Sequence, residues 1–232
     1  MYNIENMIRS LRFDGVWWLA GYPRSGAALV RSILANCFDL TTGSIYQEER
    51  LGKAYAKNVN LWEHPSSEED VLKLLDNVPL TVKTHELPEP GDSTPTIIIV
   101  RDGRRVFESL KAFYSEGCNR DYKMGYLITG MHLWGCWSRW HRMWATHTGP
   151  ATLWLKYESI MADLPKAVDR IGKHLSITPK RYEIPSFDQI SKETPTIFRK
   201  AEVDGNGGLT EEEEEVFWYV HGSVMGMLGY ER

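Results

Sequence analysis

The stretch VWWLAGYPRSGAALVRSILAN, residues 16–36, decides the fold of this chain. Its opening residues Val16–Ala20 form a short apolar run with β-favouring side chains, which predicts a buried strand. From Gly26 onward the apolar residues recur at helical spacing, which predicts a helix over Gly26–Asn36. Between the two lies a G-x-x-x-x-G turn made by Gly21 and Gly26. Backbone N–H groups in such a turn aim at an anion, and the helix N-terminus adds about half a positive charge. The ATP-binding form of this loop continues with a lysine for the β/γ-phosphates and a hydroxyl for Mg²⁺. Here Ala27 and Ala28 stand in those places, and the cation is Arg24, inside the loop. The loop suits an anion and is poorly equipped for metal-assisted phosphoryl transfer.

Further strand-like runs follow at Pro79–Lys83, Thr96–Val100 and Thr152–Lys156. Helical patterns cover Ser67–Asp76, Arg104–Ser115, Tyr126–Thr146, Asp163–His174 and Thr210–Leu228. Continuous β-branched runs such as TIIIV (Thr96–Val100) suit strands covered on both faces of a parallel sheet. The alternation predicts an α/β chain, three-layer α/β/α around a mostly parallel central sheet and P-loop NTPase-like, with residues 1–232 as a single domain. LPEPGDSTP (Leu87–Pro95) and VDGNGG (Val203–Gly208) are surface loops, each too short for a domain linker. Thr210 followed by Glu213 is a capping box opening the last helix.

Composition narrows the classes of partner. The 232 residues are 42% hydrophobic and 25% charged, with 27 basic against 31 acidic side chains and a net charge of −4. That balance argues against sequence-independent nucleic-acid binding, which needs a basic surface. The longest apolar runs are too short to cross a membrane, and MYNIENMIRSLRFDG has no secretory apolar core, so the expectation is a cytoplasmic protein without a membrane partner. Cys37, Cys118 and Cys136 are odd in number and lack C-x-x-C spacing; no metal site is expected and reduced thiols are. Oligomeric state is not legible.

A second anion-binding segment lies downstream. TIIIVRDGRRVFESLKAFY places Arg101 at the C-terminal end of a buried strand and Ser109 on the second turn of the next helix. The open ends of parallel strands are where α/β proteins hold ligands, so Arg101 and Ser109 can converge on one anion. The plain alternative is that Arg101 pairs with a surface acid and Ser109 is a tolerated helix residue. Trp134, Trp137, His141 and Trp144 step along one face of the expected helix; core packing is the first reading, and one wall of an acceptor pocket is the second.

With these segments in view, the chain resembles the sulfotransferases that use 3′-phosphoadenosine 5′-phosphosulfate (PAPS). Their phosphosulfate loop resembles YPRSGAAL (Tyr22–Leu29), and their 3′-phosphate segment resembles VRDGRRVFESLKAFY (Val100–Tyr114). VKTHE (Val82–Glu86), LKYESIMADLPKAVDRIGKHL (Leu155–Leu175), FRKAEVDGNGG (Phe198–Gly208) and MLGY (Met227–Tyr230) match further elements in the same order. The resemblance implies that Tyr22, Pro23, Arg24, Ser25, Gly26, Ala27 and Ala28 form the loop for the 5′-phosphosulfate. It implies that Arg101, Ser109, Arg199 and Lys200, with Ala201 following, hold the 3′-phosphate, that Tyr157 lies near the nucleotide, and that Phe187 stacks on adenine. It gives Lys83 to the sulfuryl group and its bridging oxygen, and makes His85 the general base. The departures are Ala27-Ala28 where many members have two threonines, Leu29 where an aromatic often stacks, and Ala201 where a glycine is usual. The first removes two hydroxyl contacts; the remaining charge-assisted bonds, about 1.5–3 kcal/mol each, can still dominate.

The implied chemistry is in-line transfer of a sulfuryl group to a hydroxyl or amine of a small molecule, without a metal, leaving adenosine 3′,5′-bisphosphate (PAP). Glu48 in IYQEER is the rival base, with Glu49 beside it and Glu86 as a third candidate. His64, His132, His141, His147, His174 and His221 carry no motif. A P-loop small-molecule kinase and a non-catalytic phosphonucleotide-binding module are the alternative functions. Aromatics near Trp62 and Trp134–Trp144, with acids at Glu48, Glu49 and Glu63, fit a flat or cationic acceptor, and a bacterial tailoring enzyme of secondary metabolism is the expected context.

Overall fold

The structure is a computed structural model that describes residues 15–48, 51–76, 80–147, 151–186, 192 and 207–232. Its centre is a sheet of five parallel strands: β1 (Val16–Gly21), β2 (Thr41–Ser44), β3 (Leu80–Thr84), β4 (Thr96–Val100) and β5 (Thr152–Lys156). Their order across the sheet is β2-β3-β1-β4-β5. Helices α1 (Ala27–Phe38), α2 (Lys53–Asn58), α3 (Glu68–Leu75), α4 (Gly103–Ala112), α5 (Met124–Ile128), α6 (Trp137–Thr146), α7 (Tyr157–Ala162), α8 (Leu164–Leu175) and α9 (Glu211–Met227) complete the described elements.

The two faces of the sheet follow from side-chain alternation along each strand. In β4, Ile97 and Ile99 pack with Val30, Ile33 and Leu34 of α1 and Val168 and Ile171 of α8. Ile98 and Val100 turn the other way, onto Phe107 of α4, Leu127 of α5, Trp137 of α6 and Phe217 of α9. All five residues of β4 are buried, which is why its sequence is a continuous apolar run. Each fully buried isoleucine contributes roughly 1.5–3 kcal/mol. β1 sits between β3 and β4, so the loop leaving its C-terminal end opens into the crevice between two strands whose connections lead to opposite sides. That is the switch point at which parallel α/β sheets bind ligands.

The predicted three-layer α/β/α architecture is the observed one, and several boundaries moved. The helix expected over Tyr126–Thr146 is two helices, α5 and α6, separated by Thr129–Cys136. Gly130 (φ +78°) and Gly135 (φ +65°) take left-handed backbone, and a Cβ on Gly130 would lie 2.6 Å from the Cys136 nitrogen. β2 and α2 were not foreseen: TTGS is four short polar residues, and its pairing with β3 is long-range. The helix expected over Arg104–Ser115 ends at Ala112 and passes into a π-turn, Phe113–Gly117. The capping box at Thr210 and Glu213 is present, with both reciprocal bonds. Among the described residues no helix is long and apolar enough to cross a membrane.

Candidate active site

The loop after β1 is built from backbone. Arg24 stands at φ 72° and Gly26 at φ 107°, so the chain turns through the left-handed region twice within three residues. A non-glycine residue there carries a cost on the order of 1 kcal/mol, which marks the turn as constrained. Gly26 is obligatory for a second reason: a Cβ on it would meet the Tyr157 ring at 2.6 Å. α1 starts at Ala27 with no side-chain cap, leaving its first N–H groups to face the loop. Ser25 is buried, and its hydroxyl has no hydrogen-bond partner among the described residues.

Side chains from β4 and α4 close over this loop. Arg24 Nε donates to Ser109 Oγ at 3.0 Å, and its guanidinium lies 5.3 Å from the Phe113 ring centre. Arg101, 6% exposed, donates from Nη1 to the Arg24 carbonyl at 3.2 Å. Its guanidinium also sits 4.7 Å over the Tyr157 ring. Arg101 and Ser109 both contact Arg24, the first through its carbonyl and the second through its guanidinium. Asp102 caps α4 on the Arg104 N–H, and Glu158 accepts the Asp102 N–H at 2.9 Å, which fixes the turn after β4.

The end of β3 carries Lys83 and is followed by His85. His85 Nδ1 lies 2.6 Å from the Gly21 carbonyl oxygen. A carbonyl only accepts, so Nδ1 carries the proton and Nε2 keeps its lone pair. Burial, followed by the nearby Lys83 cation, pushes the His85 imidazole down to about 3, so it is neutral at physiological pH. Tyr46 stacks on it at 5.5 Å and Trp134 meets it edge-on at 5.3 Å. The backbone on either side is held by side chains. His85 N–H donates to Tyr46 Oη at 3.0 Å, Trp140 Nε1 donates to the His85 carbonyl at 2.7 Å, and Trp144 Nε1 donates to the Glu86 carbonyl at 3.0 Å. Trp140 and Trp144 are one helical turn apart on α6, so a single helix face supplies both indole donors.

Glu48, the rival candidate, is held between two cations. It is 4% exposed, 2.5 Å from Lys83 Nζ through Oε1 and 2.5 Å from Arg31 Nη1 through Oε2. Burial alone would raise its carboxyl, but the Lys83 and Arg31 cations outweigh it and hold it at about 2. It is a fully committed carboxylate with little affinity for a proton.

The structure thus brings together Tyr22–Ala28, Lys83, His85, Arg101, Ser109 and Tyr157. Phe187, Arg199, Lys200, Ala201 and Glu49 lie outside the described residues. The aromatic stripe follows its core-packing reading at three of its four positions. Trp137 and Trp144 are core residues, His141 is fully buried against Tyr22 and Trp137, and Trp62 packs on Gly43 beneath β2. Trp134, which precedes α6 instead of lying on it, meets the His85 ring. Sequence reasoning missed Tyr46, Trp140, Arg31 and Tyr55, and it placed Trp144 in the core without its bond to the Glu86 carbonyl. Arg31 alone offered a signal, a cation within the apolar run of α1.

The fold and this crevice define a P-loop-like α/β protein with a cation-bearing loop at the end of its central strand. More particularly, the chain has the sulfotransferase fold. It superposes on mouse sulfotransferase SULT7A1 complexed with PAP at TM-score 0.66, with 16% identity over 96% of this chain and 88% of that one. A retinol dehydratase in complex with retinol and PAP gives TM-score 0.61, with 18% identity over 99% of this chain and 86% of that one. No family model and no curated protein sequence matches the chain.

Proposed function

We propose that this chain is a PAPS-dependent sulfotransferase, one sulfotransferase domain over residues 1–232, acting on a hydroxyl or amine of a small molecule. The observation that carries the reading is the neutral His85, with Nδ1–H committed to Gly21 and Nε2 left with its lone pair, beside Lys83 and next to the Arg24 loop. The fold is that of structures holding PAP, one of them with retinol and another with androsterone.

The loop fits such a nucleotide. The buried Ser25 hydroxyl, the uncapped start of α1 and the Arg24 side chain all suit an anionic group. Arg24 and the loop amides would hold the 5′-phosphosulfate; Arg101 and Ser109, with Arg199 and Lys200, would hold the 3′-phosphate. Tyr157 would lie near the nucleotide, and Phe187 would stack on adenine. When bound, PAPS supplies a sulfuryl group on a phosphate leaving group. The residues around it then act as follows. His85 Nε2 takes the acceptor's proton, and Lys83 sets a positive charge where negative charge develops. Nearby anionic charge favours the imidazolium, which strengthens His85 as a base only once the site is filled. Ala27 and Ala28 offer no hydroxyl for Mg²⁺, which separates this reading from a kinase.

The test is transfer from radiolabelled PAPS to a panel of phenols, alcohols and amines. Turnover that survives EDTA and is lost in His85→Ala is the expected result. Turnover that requires ATP and Mg²⁺ instead, or unchanged transfer in His85→Ala, contradicts it.

A further inference from the structure

Four ionisable groups from different parts of the fold meet behind the catalytic face. Arg31 comes from α1, Glu48 from the segment after β2, Tyr55 from α2 and Lys83 from the end of β3. Arg31 is fully buried, and its Nη1 donates to both Glu48 Oε2 (2.5 Å) and Tyr55 Oη (2.9 Å). Arg31 Nε donates to Thr42 Oγ1 at 2.9 Å, which ties the group to β2. Tyr55 Oη lies 3.3 Å from Glu48 Oε2, and the remaining carboxylate oxygen receives Lys83 Nζ.

We propose that Glu48 is a positioning residue: its carboxylate, fixed from behind by Arg31 and Tyr55, holds the Lys83 ammonium at the end of β3 beside His85. This rests on the sulfotransferase reading and deepens it, because it removes Glu48 from the choice of base and gives it a different task. The geometry divides the carboxylate in two. Oε2 faces the interior, where Arg31 and Tyr55 occupy it, and Oε1 faces the site, where Lys83 occupies it. A base must have a lone pair directed at the acceptor, and both oxygens here are engaged by cations.

The same arrangement sets the charge of Lys83. Burial lowers its amine, Glu48 raises it, and the Arg31 and Arg24 cations lower it further. The groups facing Lys83 are therefore Glu48 from the β2 side, Arg31 from α1, Arg24 from the loop, the Tyr46 ring at 5.5 Å and His85 two residues on. Glu48 is the anion among them. Without it, three cationic or desolvating influences remain and Lys83 sheds its proton at lower pH.

The experiment combines a ligand-free titration with kinetics on the same proteins. Side-chain ¹⁵N and ¹³C NMR of lysine-labelled protein follows Lys83, assigned with Lys83→Met, in wild type and Glu48→Gln. The expected result is that Lys83 titrates at least ten times more readily, a fall of a unit or more, in Glu48→Gln. In transfer assays the variant should lose roughly ten- to a hundredfold in kcat, with the alkaline limb of its pH profile moved down and the acid limb, set by His85, unmoved. If Glu48→Gln does not fold, Glu48→Asp keeps the charge and shortens the reach; it should restore the Lys83 titration and only part of kcat. An unshifted Lys83 signal in Glu48→Gln, a Lys83 signal in Glu48→Asp that falls despite the retained carboxylate, or loss of the acid limb in Glu48→Gln, overturns the proposal. Should wild type transfer nothing from PAPS, the sulfotransferase reading fails, while the lysine titration still decides what Glu48 does.

Discussion

The loop Gly21–Gly26 and the segment Lys83–Glu86 end neighbouring strands and face one crevice, yet they are held by opposite means. The loop is shaped by main chain: left-handed turns at Arg24 and Gly26, a helix start without a cap, and a glycine pressed by the Tyr157 ring. The β3 end is shaped by side chains from afar: Tyr46, Trp140 and Trp144 engage its backbone by hydrogen bonds, and Glu48 pairs with Lys83. A bound anion needs many N–H donors at modest precision, which backbone supplies. Under the proposed function, a base and a cation that act on one reacting atom need fixed orientation, which demands supports of their own.

The sharpest way to separate the two regions is His85→Ala. Transfer should fall by about 10²–10⁴-fold, measured in steady-state assays, while PAP affinity by calorimetry stays within about twofold because the loop is intact. A parallel loss of PAP affinity would break the division.

Acid should strike the β3 side and the core behind it. Burial holds His85 and His141 down to about 3 and His221 to about 4, against an ordinary value of 6.5. Unfolding therefore takes up protons once the pH drops below 6.5, and the folded state loses stability on the acid side. Three such imidazoles give a slope of roughly 2–4 kcal/mol per pH unit between pH 6 and 4. Urea denaturation at pH 7, 6 and 5 measures it; stability that is flat or rising toward pH 5 would contradict the buried neutral assignment.

Gly26→Ala tests the loop in return. The strained φ and the clash with Tyr157 should cost about 1–3 kcal/mol of stability, read by thermal denaturation, and weaken PAP binding. The smallest effect belongs to Trp140→Phe, which leaves the His85 carbonyl without its indole donor. A lost hydrogen bond of this kind is worth about 1–1.5 kcal/mol, so kcat should fall roughly tenfold with PAP affinity unchanged. A change in affinity with kcat constant would place Trp140 on the loop side of the comparison.

How legible each region was in the sequence follows from the same difference. Gly21, Arg24 and Gly26 lie within one hexapeptide next to a strand and a helix, so spacing suggested the loop and the downstream Arg101 segment supported it. The β3–β1–β4 core was legible because each strand is a short apolar run between helical patterns. The supports of His85 were not: Trp140 is 55 residues away in sequence from the carbonyl it binds, and Trp144 is 58 away from its own. Periodicity placed Trp144 correctly in the core, but it cannot say that an indole N–H at the same position also anchors a loop. Glu48 was visible as a candidate acid, while its role depended on Arg31, a cation hidden in an apolar helix. The break between α5 and α6 was missed because Gly130 and Gly135 were outweighed by the aromatic stripe around them.

One titration bears most directly on whether these strand ends form a single nucleotide site. PAP is titrated calorimetrically into wild type, Arg24→Ala and Arg101→Ala, without added metal. One-to-one binding in wild type, weakened at least tenfold in each variant, is the expected result. Absence of heat in wild type, or equal affinity in all three proteins, would contradict it.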